Sequence, residues 1–397
     1  MRILLIHNHY GSSAPSGENM VFESEKAMLE KHGHEVAVYS RHSDEIRGTG
    51  NRELGTVRKL WGIVKGAMCT VGNPFAARAV VKKCRAFKPD VVHIHNTFPL
   101  ISPLAVRAAS KYAPVVMTLH NYRTACVSGV PTRDGKVCSL CLDKKCVWDG
   151  IKYRCYRGSL AATLPLAINI ALYRRRLPKW VTRFIVLSEF QKRKMVEYGL
   201  PVEKIDVKGN FISRVEHAEH KEKRDQIVYV GRLSKEKGVE TLIRAFKQLG
   251  GKTKLIVVGD GIDRGELEEM AKDLNVEFVG QKPSDEARLI IAESKALVSP
   301  SACWETFGLA AAEAMSVGTP SVVANVGGLP DIVQAGRFGE VFESGNPESC
   351  AAAIMRLRSR SDYDEICKAA PQEVHAKYSE DANYNRLMEI YGEVVCS

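Results

Sequence analysis

Short apolar runs alternate with amphipathic stretches through the first half of the chain. Apolar runs bounded by turn residues predict strands, and the longer stretches between them predict helices. This rhythm is typical of a parallel sheet wound with helices. The predicted strands cover residues 3–8, 35–40, 91–95, 115–119 and 184–187, and a helix over residues 19–32 joins the first two.

The same rhythm begins again in the second half, with strands predicted at residues 226–230, 254–258, 277–279, 296–299 and 321–324. A chain of 397 residues exceeds what a single hydrophobic core usually holds. We therefore expect an α/β protein with two Rossmann-like, doubly wound domains, residues 1–205 and 206–378. A charged linker is expected within residues 201–223.

Residues 303–318 carry the most informative chemistry. Two carboxylates, Glu305 and Glu313, lie on either side of a Phe-Gly turn that opens an Ala-rich helix. The first amide groups of this helix, from Gly308 and Leu309, would sit at the positive end of the helix dipole and could bind a diphosphate. Glu313 could accept hydrogen bonds from ribose hydroxyls, and Glu305 would face the group that the diphosphate carries. The alternative is an ordinary amphipathic helix with a solvated Glu313.

Two loops that follow strands could approach phosphate groups. After the first strand of the second half, Arg232 offers a planar charged fork and Lys237 a point charge, which together match a diphosphate and could stabilise it as it leaves. After the first strand of the chain, backbone amides at Ser16 and Gly17 could lie close to a phosphate or an acceptor. Both loops could instead be ordinary solvated turns.

Histidines close two strands of the first half. His120 follows the strand at 115–119 and would face a cleft, where it could contact a donor sugar or its phosphate. His93, His95 and Asn96 close another strand and could bind an acceptor. All of these could instead be structural, and metal binding by His93 and His95 is not expected without further ligands.

The chain has 11 cysteines, and five of them lie within residues 126–155. In a reducing compartment such a cluster suggests a metal before disulfides. Four thiolates around Zn²⁺ would organise a loop that is too polar to build its own core. The expected ligands are Cys126, Cys138, Cys141 and Cys155, with Cys146 spare. An iron–sulfur cluster or plain buried thiols remain open.

The formal net charge of +11 favours an acidic ligand or a membrane surface. The sequence has no zinc-finger or RNA-recognition signature, so nucleic acid is not an expected partner. Residues 160–176 form an apolar stretch that ends in three arginines, which could lie on an anionic membrane or be a buried helix. Because Met1 leads directly into a strand, we expect no signal peptide and a cytoplasmic location, peripheral at the inner face of the cell membrane.

Five motifs, in order and spacing, resemble the retaining glycosyltransferases of family 4, the glycogen-synthase-like group with the GT-B fold. The motifs are Gly231-Arg232-Leu233 with Glu236-Lys237-Gly238, Gly259-Asp260-Gly261, Glu305-Thr306-Phe307-Gly308-Leu309, Glu313-Ala314-Met315, and Gly318-Thr319-Pro320 with Gly327-Gly328-Leu329-Pro330. The resemblance covers nearly the whole chain and is strongest in residues 226–335. It implies two domains facing across a cleft, the first for the acceptor and the second for the nucleotide sugar. A final helix at about residues 379–397 would return to the first domain.

The resemblance also implies a role for each matched residue. Arg232 and Lys237 resemble the pair that holds the donor diphosphate. Glu313 is similar to the carboxylate that binds the nucleotide ribose, and Glu305 to the one near the donor sugar hydroxyls. The turn that contacts sugar and phosphate through its backbone is matched by Phe307, Gly308 and Leu309. His120 resembles the cleft histidine of the first domain, and Gly17 a glycine of the first loop. Many relatives have Gly-Gly where this chain has Ser16-Gly17.

The activity implied by the resemblance is transfer of a hexosyl group from a UDP- or GDP-sugar to a glycan or lipid-linked saccharide acceptor, in surface polysaccharide assembly. The anomeric configuration would be retained by front-side displacement, without a protein nucleophile. No catalytic metal is expected, because basic residues and the helix end would neutralise the diphosphate. The alternatives are a sugar-nucleotide epimerase of the same fold and a non-catalytic scaffold that binds sugar nucleotides.

Overall fold

Two parallel six-stranded sheets with interleaved helices make up the protein. The computed structural model describes residues 1–11, 17–46, 56–212, 222–250 and 253–396. The predicted phosphate-binding position at Ser16 and the middle of the predicted linker lie outside these residues. The expected α/β fold with two Rossmann-like domains is confirmed.

The first half of the chain forms one sheet, a small hairpin and nine helices among the described residues. The strands are β1 (Arg2–His9), β2 (Glu35–His42), β3 (Val91–Asn96), β4 (Val115–Thr118), β5 (Thr132–Arg133), β6 (Lys136–Val137), β7 (Arg183–Val186) and β8 (Ile205–Val207). The helices are α1 (Gly17–Lys31), α2 (Thr56–Val71), α3 (Pro74–Phe87), α4 (Pro103–Ala109), α5 (Leu140–Asp143), α6 (Trp148–Lys152), α7 (Leu160–Tyr173), α8 (Leu177–Trp180) and α9 (Glu189–Tyr198).

The second half forms the other sheet. Its strands are β9 (Arg224–Val230), β10 (Lys254–Val258), β11 (Val276–Gly280), β12 (Ser294–Ser299), β13 (Ser321–Ala324) and β14 (Gly339–Phe342). Its helices, with the final one, are α10 (Val239–Gln248), α11 (Arg264–Ala271), α12 (Ser284–Ala292), α13 (Leu309–Ser316), α14 (Leu329–Ile332), α15 (Pro347–Arg358), α16 (Tyr363–Tyr378) and α17 (Glu380–Val395).

All ten predicted strands are present, but sequence patterns missed four others. The hairpin β5–β6, strand β8 and strand β14 were not expected. Strand β8 has three residues and lies where the chain was expected to be a linker, yet it pairs in parallel with β7. The first sheet therefore continues beyond residue 205.

The strand orders place the ligand-binding edges. The first sheet has the order β2-β1-β3-β4-β7-β8 and the second the order β11-β10-β9-β12-β13-β14. The order reverses between β1 and β3 in the first sheet, and between β9 and β12 in the second. Open parallel sheets bind ligands beyond the carboxyl ends of their strands at such switch points. The loops after β9 and β12 therefore form the expected site of the second domain.

The final helix packs on the first sheet, although it follows the second domain in sequence. Alternate residues of β1 enter two core clusters, and Ile3 and Leu5 lie in the same cluster as Leu387, Ile390 and Tyr391 of α17. The second domain has its own core, formed by β9 to β14 and the helices around them. The chain therefore crosses from the second domain back to the first near its end.

Helix α7 packs over the segment that carries the cysteine cluster. Its residues Leu166, Ala167 and Ile170 form a small apolar cluster with Val127. Ser159 caps the helix by accepting a hydrogen bond from the Ala162 amide at 3.3 Å. Within the described part of the chain, no helix is long and apolar enough to cross a membrane.

Candidate active site between the two sheets

The switch point of the second sheet holds a partly buried ion pair. Lys237, in the loop after β9, places its Nζ 2.7 Å from Oε1 of Glu305, which lies in the loop after β12. The Ser301 hydroxyl donates to the same carboxylate oxygen at 2.6 Å. The structure thus brings together two residues that are 68 positions apart in sequence and that the sequence had assigned to a single site.

Both members of this pair are charged in the folded protein. Burial alone would raise the pKa of Glu305, but Lys237, Ser301 and Arg232 together hold it below its ordinary value. Burial alone would lower the pKa of Lys237, but the Glu305 carboxylate raises it overall. A fixed carboxylate and a fixed ammonium therefore stand side by side at the edge of the sheet.

Close backbone packing holds the loops that carry this pair. Gly238 has a positive φ of 67°, and a methyl group there would overlap the Pro300 carbonyl oxygen. Gly327 has a φ of 62°, and a methyl group there would overlap the backbone of Glu305. The Gly328 amide also donates to the Glu305 carbonyl at 2.8 Å. Glycine is required because each loop passes directly against its neighbour.

Helix α13 begins directly beside Glu305. Gly308 adopts the left-handed conformation with φ of 111° just before the helix, and no side chain caps the first turn. Phe307 is buried and packs edge-on against Tyr378, with ring centroids 5.1 Å apart, so its side chain belongs to the core. Leu309 is partly exposed at the start of the helix. The amides of this turn are the predicted diphosphate-binding groups, and no side chain caps them.

Glu313 has a partner that sequence patterns did not identify. Arg288 of α12 places Nη2 at 3.1 Å and Nε at 3.3 Å from one oxygen of Glu313. Burial raises the pKa of Glu313, and Arg288 opposes this effect. No spacing rule links α12 to α13, so only the packing of the two helices could reveal the pair. Glu313 is therefore not the freely solvated residue of the alternative interpretation.

Arg232 is the most exposed of the predicted donor-site residues. Its side chain is 60% exposed and forms a 3.2 Å ion pair with Glu236. Its charge contributes to the lowered pKa of Glu305, which places it within electrostatic range of the pair. This exposed guanidinium lies next to the partly buried Lys237, so it could exchange its surface ion pair with Glu236 for an anionic ligand.

In the first domain, His120 ends a chain of buried polar groups. Its Nε2 lies 3.0 Å from Nδ1 of His95, and Nε2 of His95 lies 3.2 Å from Oε1 of Glu25. The other oxygen of Glu25 lies 3.0 Å from Nζ of Lys208. Burial and the neighbouring His95 hold the pKa of His120 well below its ordinary value. His120 is therefore a neutral, oriented imidazole at the carboxyl end of β4.

Glu25, His93 and His95 place their possible ligand atoms within 4.8 Å of one another, close enough to hold a metal ion. Among the described residues, no other group of three or more potential ligands does so. The sequence did not suggest Glu25 as a partner of the two histidines. However, Lys208 already neutralises the Glu25 carboxylate, and His93 Nδ1 lies 2.7 Å from the Tyr391 hydroxyl. The cluster thus has the partners of a buried charge network.

A second polar cluster in the first domain was not predicted. Glu18 accepts a hydrogen bond from Asn121 at 3.3 Å and also interacts with Arg123. Burial raises the pKa of Glu18 to about 7, against the opposing effect of Arg123. Gly17 begins α1 next to this carboxylate, and the space around its Cα is open. Glu18, His120, Asn121 and Arg123 all line one cavity of about 80 Å³.

The two domains touch through the loop that carries Glu305. The Thr306 hydroxyl donates to the His120 carbonyl at 3.1 Å. The Trp304 ring lies 5.4 Å from the ring of Phe190 and 5.8 Å from that of Tyr122. His120 and Glu305 are therefore placed on facing sides of the same interdomain junction.

The structure does not support the predicted zinc site. The four expected ligands lie in one small region, because Cys126, Cys138 and Cys155 all raise the pKa of Cys141 beyond the main effect of burial. No three of these sulfurs meet metal-binding spacing among the described residues. Cys126 and Cys141 are buried, Cys138 and Cys155 are partly exposed, and all are free thiols.

Two family models match consecutive parts of the chain. The model described as glycosyltransferase family 4 matches residues 17–214, and the model described as glycosyl transferases group 1 matches residues 213–373. The boundary between the two matches lies between β8 and β9. The first match covers the strands of the first sheet except β1, and the second covers all strands of the second sheet.

Several proteins are similar to this chain. Sulfoquinovosyl transferase of Arabidopsis thaliana is 26% identical over 303 residues, which cover 75% of this chain and 56% of that protein. Glycogen synthase of Mycobacterium tuberculosis is 26% identical over 393 residues, which cover 90% of this chain and 86% of that protein. The chain spans about half of the length of some curated relatives, between 44% and 56% for three of them.

The fold is that of solved GT-B glycosyltransferases. The structure of Anabaena HepE in complex with UDP and glucose superposes with a TM-score of 0.64 at 17% identity, covering 99% of this chain and 100% of that one. At this level of identity the likeness establishes the architecture alone.

Proposed function

Because this chain belongs to the group 1 glycosyltransferases, with the GT-B fold, we propose that it transfers a hexosyl group from a nucleoside-diphosphate sugar to a glycan or lipid-linked saccharide. The observation that carries the proposal is the Lys237–Glu305 pair, 2.7 Å apart at the switch point of the second sheet and facing the first domain. The Anabaena neighbour was solved with UDP and glucose, so UDP-sugars are the donors to test first, followed by GDP-sugars.

The donor diphosphate would lie between the first turn of α13 and the loop after β9. The uncapped amides after Gly308 would donate to phosphate oxygens, and Lys237 and Arg232 would supply positive charge. As the bond to the sugar breaks, negative charge grows on the diphosphate, and these groups would stabilise it. Glu313 would accept hydrogen bonds from the ribose hydroxyls while Arg288 holds its carboxylate in place.

Glu305 would position the donor sugar through its hydroxyls. Lys237 and Ser301 both bind one oxygen of the carboxylate, Oε1, so the Oε2 oxygen is the one available to a ligand. We assign the reaction to retention of configuration by front-side displacement, in which the leaving phosphate accepts the acceptor proton. The proposed chemistry needs no protein nucleophile, and it needs no catalytic metal because cationic side chains and the helix end neutralise the diphosphate.

The acceptor would enter from the first domain. His120 would face the donor sugar, oriented by His95 and Glu25 behind it. Glu18 and Arg123 line the same cavity and offer a carboxyl group and a guanidinium to the hydroxyls of a saccharide. A role in surface polysaccharide assembly, and a cytoplasmic location at the inner face of the membrane, stay predictions.

Two other functions would use the same donor site. A sugar-nucleotide epimerase would convert the donor without an acceptor, and a non-catalytic scaffold would bind the donor without turnover. Product analysis with and without a saccharide acceptor separates the three. Transfer of labelled sugar to an acceptor supports the transferase, and an altered sugar nucleotide formed in its absence supports the epimerase.

The first test is thermal unfolding with excess UDP or GDP. A ligand that binds only the folded state raises the melting temperature. At 100 times its Kd, it stabilises the folded state by about 2.7 kcal/mol.

Glu313→Ala should weaken nucleotide binding by about 1.5 to 3 kcal/mol, because the ribose hydroxyls lose a charged acceptor. Glu365→Ala, an exposed carboxylate of α16, is the matched control and should behave as the wild type. An equal shift in all three proteins would remove Glu313 from the site.

A further inference from the structure

Helix α7 is apolar on the side that faces solvent as well as on the side that faces the protein. Its 14 residues, Leu160–Tyr173, include no charged residue. Apart from Tyr173, its polar side chains are Thr163, which is buried, and Asn169, which is partly buried. A helix that is apolar all round is normally buried or in contact with lipid. We infer that the outer side of α7 docks on the surface of an anionic lipid bilayer.

Four large side chains recur every four residues along the outer side. Leu160 is 43% exposed, Leu164 37%, Ile168 44% and Leu172 41%. Residues at this spacing lie on one side of a helix, so they form a continuous apolar row, which we call the α7 row. Single exposed apolar residues are normal on a protein surface, but a contiguous row marks an interaction surface.

Aromatic side chains at the edge of a bilayer are typical of docking surfaces, and the neighbouring helix supplies one. Helix α6 packs against α7 and carries Trp148, which is 67% exposed, while Tyr153 just after α6 is 43% exposed. Tryptophan and tyrosine favour the zone where lipid headgroups meet the hydrocarbon. The helix that packs against α7 thus adds exposed side chains suited to that zone.

Basic residues lie at both ends of the α7 row. Residues 144–179 contain nine lysines and arginines and one acidic residue, Asp149, whose charge is paired with Lys144 at 2.8 Å. Lys152, Arg154 and Arg157 precede α7, and Arg175 and Arg176 follow it; all five are exposed. This distribution fits negatively charged headgroups and opposes docking of two like-charged copies of the chain through this surface.

The inner side of α7 lines the cavity that reaches the proposed active site. Leu166, Ile170 and Tyr173 form one part of its wall, and His120 and Glu18 form another. Docking through α7 would therefore hold the acceptor entrance near the bilayer surface. This consequence rests on the proposed function, and it favours an acceptor carried by a membrane lipid.

The test is co-sedimentation of the full-length protein with vesicles of phosphatidylcholine containing phosphatidylglycerol, and with vesicles of phosphatidylcholine alone. The wild type should bind the anionic vesicles, and added salt should weaken the binding because headgroup attraction is screened. Ile168→Glu should lower the affinity at least about tenfold, because it places a charge in the apolar row. Arg175→Glu with Arg176→Glu should lower it by a similar factor.

Matched controls separate docking from misfolding and from loss of function. Ile262→Glu makes the same substitution at a residue that is 92% exposed in the second domain, and it should bind vesicles as the wild type does. All variants should keep the UDP- or GDP-induced thermal shift of the wild type, which reports the donor site independently of docking. No binding of the wild type to anionic vesicles, or equal loss in Ile168→Glu and Ile262→Glu, overturns the inference. A wild-type dimer in solution that Ile168→Glu dissociates, without vesicle binding, would instead assign the row to a second copy.

Discussion

At the scale of single residues, the proposed donor site is a set of charged side chains, each held by a neighbouring polar or charged group. Glu305 is held by Lys237 and Ser301, and Glu313 is held by Arg288. Fixed partners mean that little reorganisation is needed when a charged ligand arrives, which favours stabilisation of a transition state. A substitution that removes the charge of Glu305 or Glu313 therefore also leaves its partner without a counter-charge.

Glu305→Gln should reduce turnover much more than nucleotide binding. The substitution keeps the shape of the side chain but removes the charge that balances Lys237 and that is proposed to orient the sugar, so we expect a fall in kcat of about 10²- to 10³-fold. Steady-state rates and UDP or GDP affinity, measured on the same preparation, check this. Glu389→Gln, which replaces an exposed carboxylate of α17, should leave both quantities unchanged. Normal turnover in Glu305→Gln would remove Glu305 from the reaction.

At the scale of elements, loops and buried strands carry the constraints. The loops after β9 and β12 approach so closely that glycine is needed at the points of contact. Beneath the cleft, β3 carries His93 and His95 into the buried charge network with Glu25. Each constraint leads to a measurement of stability.

Gly327→Ala should destabilise the protein by about 1 to 3 kcal/mol, because the new methyl group overlaps the backbone of Glu305. Gly345→Ala is the control: Gly345 has a similar positive φ of 75°, but the space around its Cα is open. Gly345→Ala should be destabilised less than Gly327→Ala, because it introduces backbone strain but no overlap. Urea unfolding of both variants gives the comparison. Equal losses would show that the close approach to Glu305 does not matter.

The free energy of unfolding should decrease as the pH is lowered, because of His93. Burial and the neighbouring His95 lower the pKa of His93 from 6.5 to about 4. Below pH 6.5 the unfolded chain binds a proton that the folded protein does not, so this group destabilises the fold increasingly as the pH falls toward 4. The expected loss from His93 between pH 7 and pH 5 is about 2 kcal/mol.

His93→Gln removes that titration. Its free energy of unfolding should be below that of the wild type at pH 7, because the hydrogen bonds to Thr118 and Tyr391 are altered. The gap between the two proteins should then narrow as the pH falls to 5. Denaturant unfolding at several pH values measures it, and a gap that stays constant would contradict the lowered pKa of His93.

At the scale of the whole molecule, two domains meet through the loop that carries Glu305. Trp304 reaches from that loop onto Tyr122 and Phe190 of the first domain, and Thr306 bonds to the His120 carbonyl. Helix α17 ties the end of the chain to the first sheet. Movement of one domain against the other would therefore shift Glu305 relative to His120.

Trp304→Ala should loosen the contact between the domains. Burial of a large apolar side chain is worth about 1.5 to 3 kcal/mol, and losing it should raise the radius of gyration measured by small-angle X-ray scattering. Trp148→Ala is the matched control, since its ring is 67% exposed on α6 of the first domain. Identical scattering from Trp304→Ala and the wild type would show that other contacts hold the domains together.

Most of the fold could be predicted from the sequence, because buried parallel strands are continuous apolar runs with turn residues at both ends. All ten predicted strands are present, whereas β5, β6 and β8, with two or three residues each, were too short to leave a pattern. The four-residue strand β14 was also missed. The family motifs also predicted which loops would form the site, and the loops with Lys237 and Glu305 do meet in the structure. These signals are local, so a single chain segment is enough to show them.

Only the tertiary structure decided which distant residues act together. The pairing of Arg288 with Glu313, the line from His120 through His95 to Glu25, and the place of Glu18 beside Asn121 all join separate segments. The spacing of the cysteines suggested a zinc site, but in the described part of the chain no three sulfurs lie at metal-binding distance. Sequence spacing limits which residues can meet, while packing of helices and strands sets the distances and burial on which ion pairs, pKa values and metal sites depend.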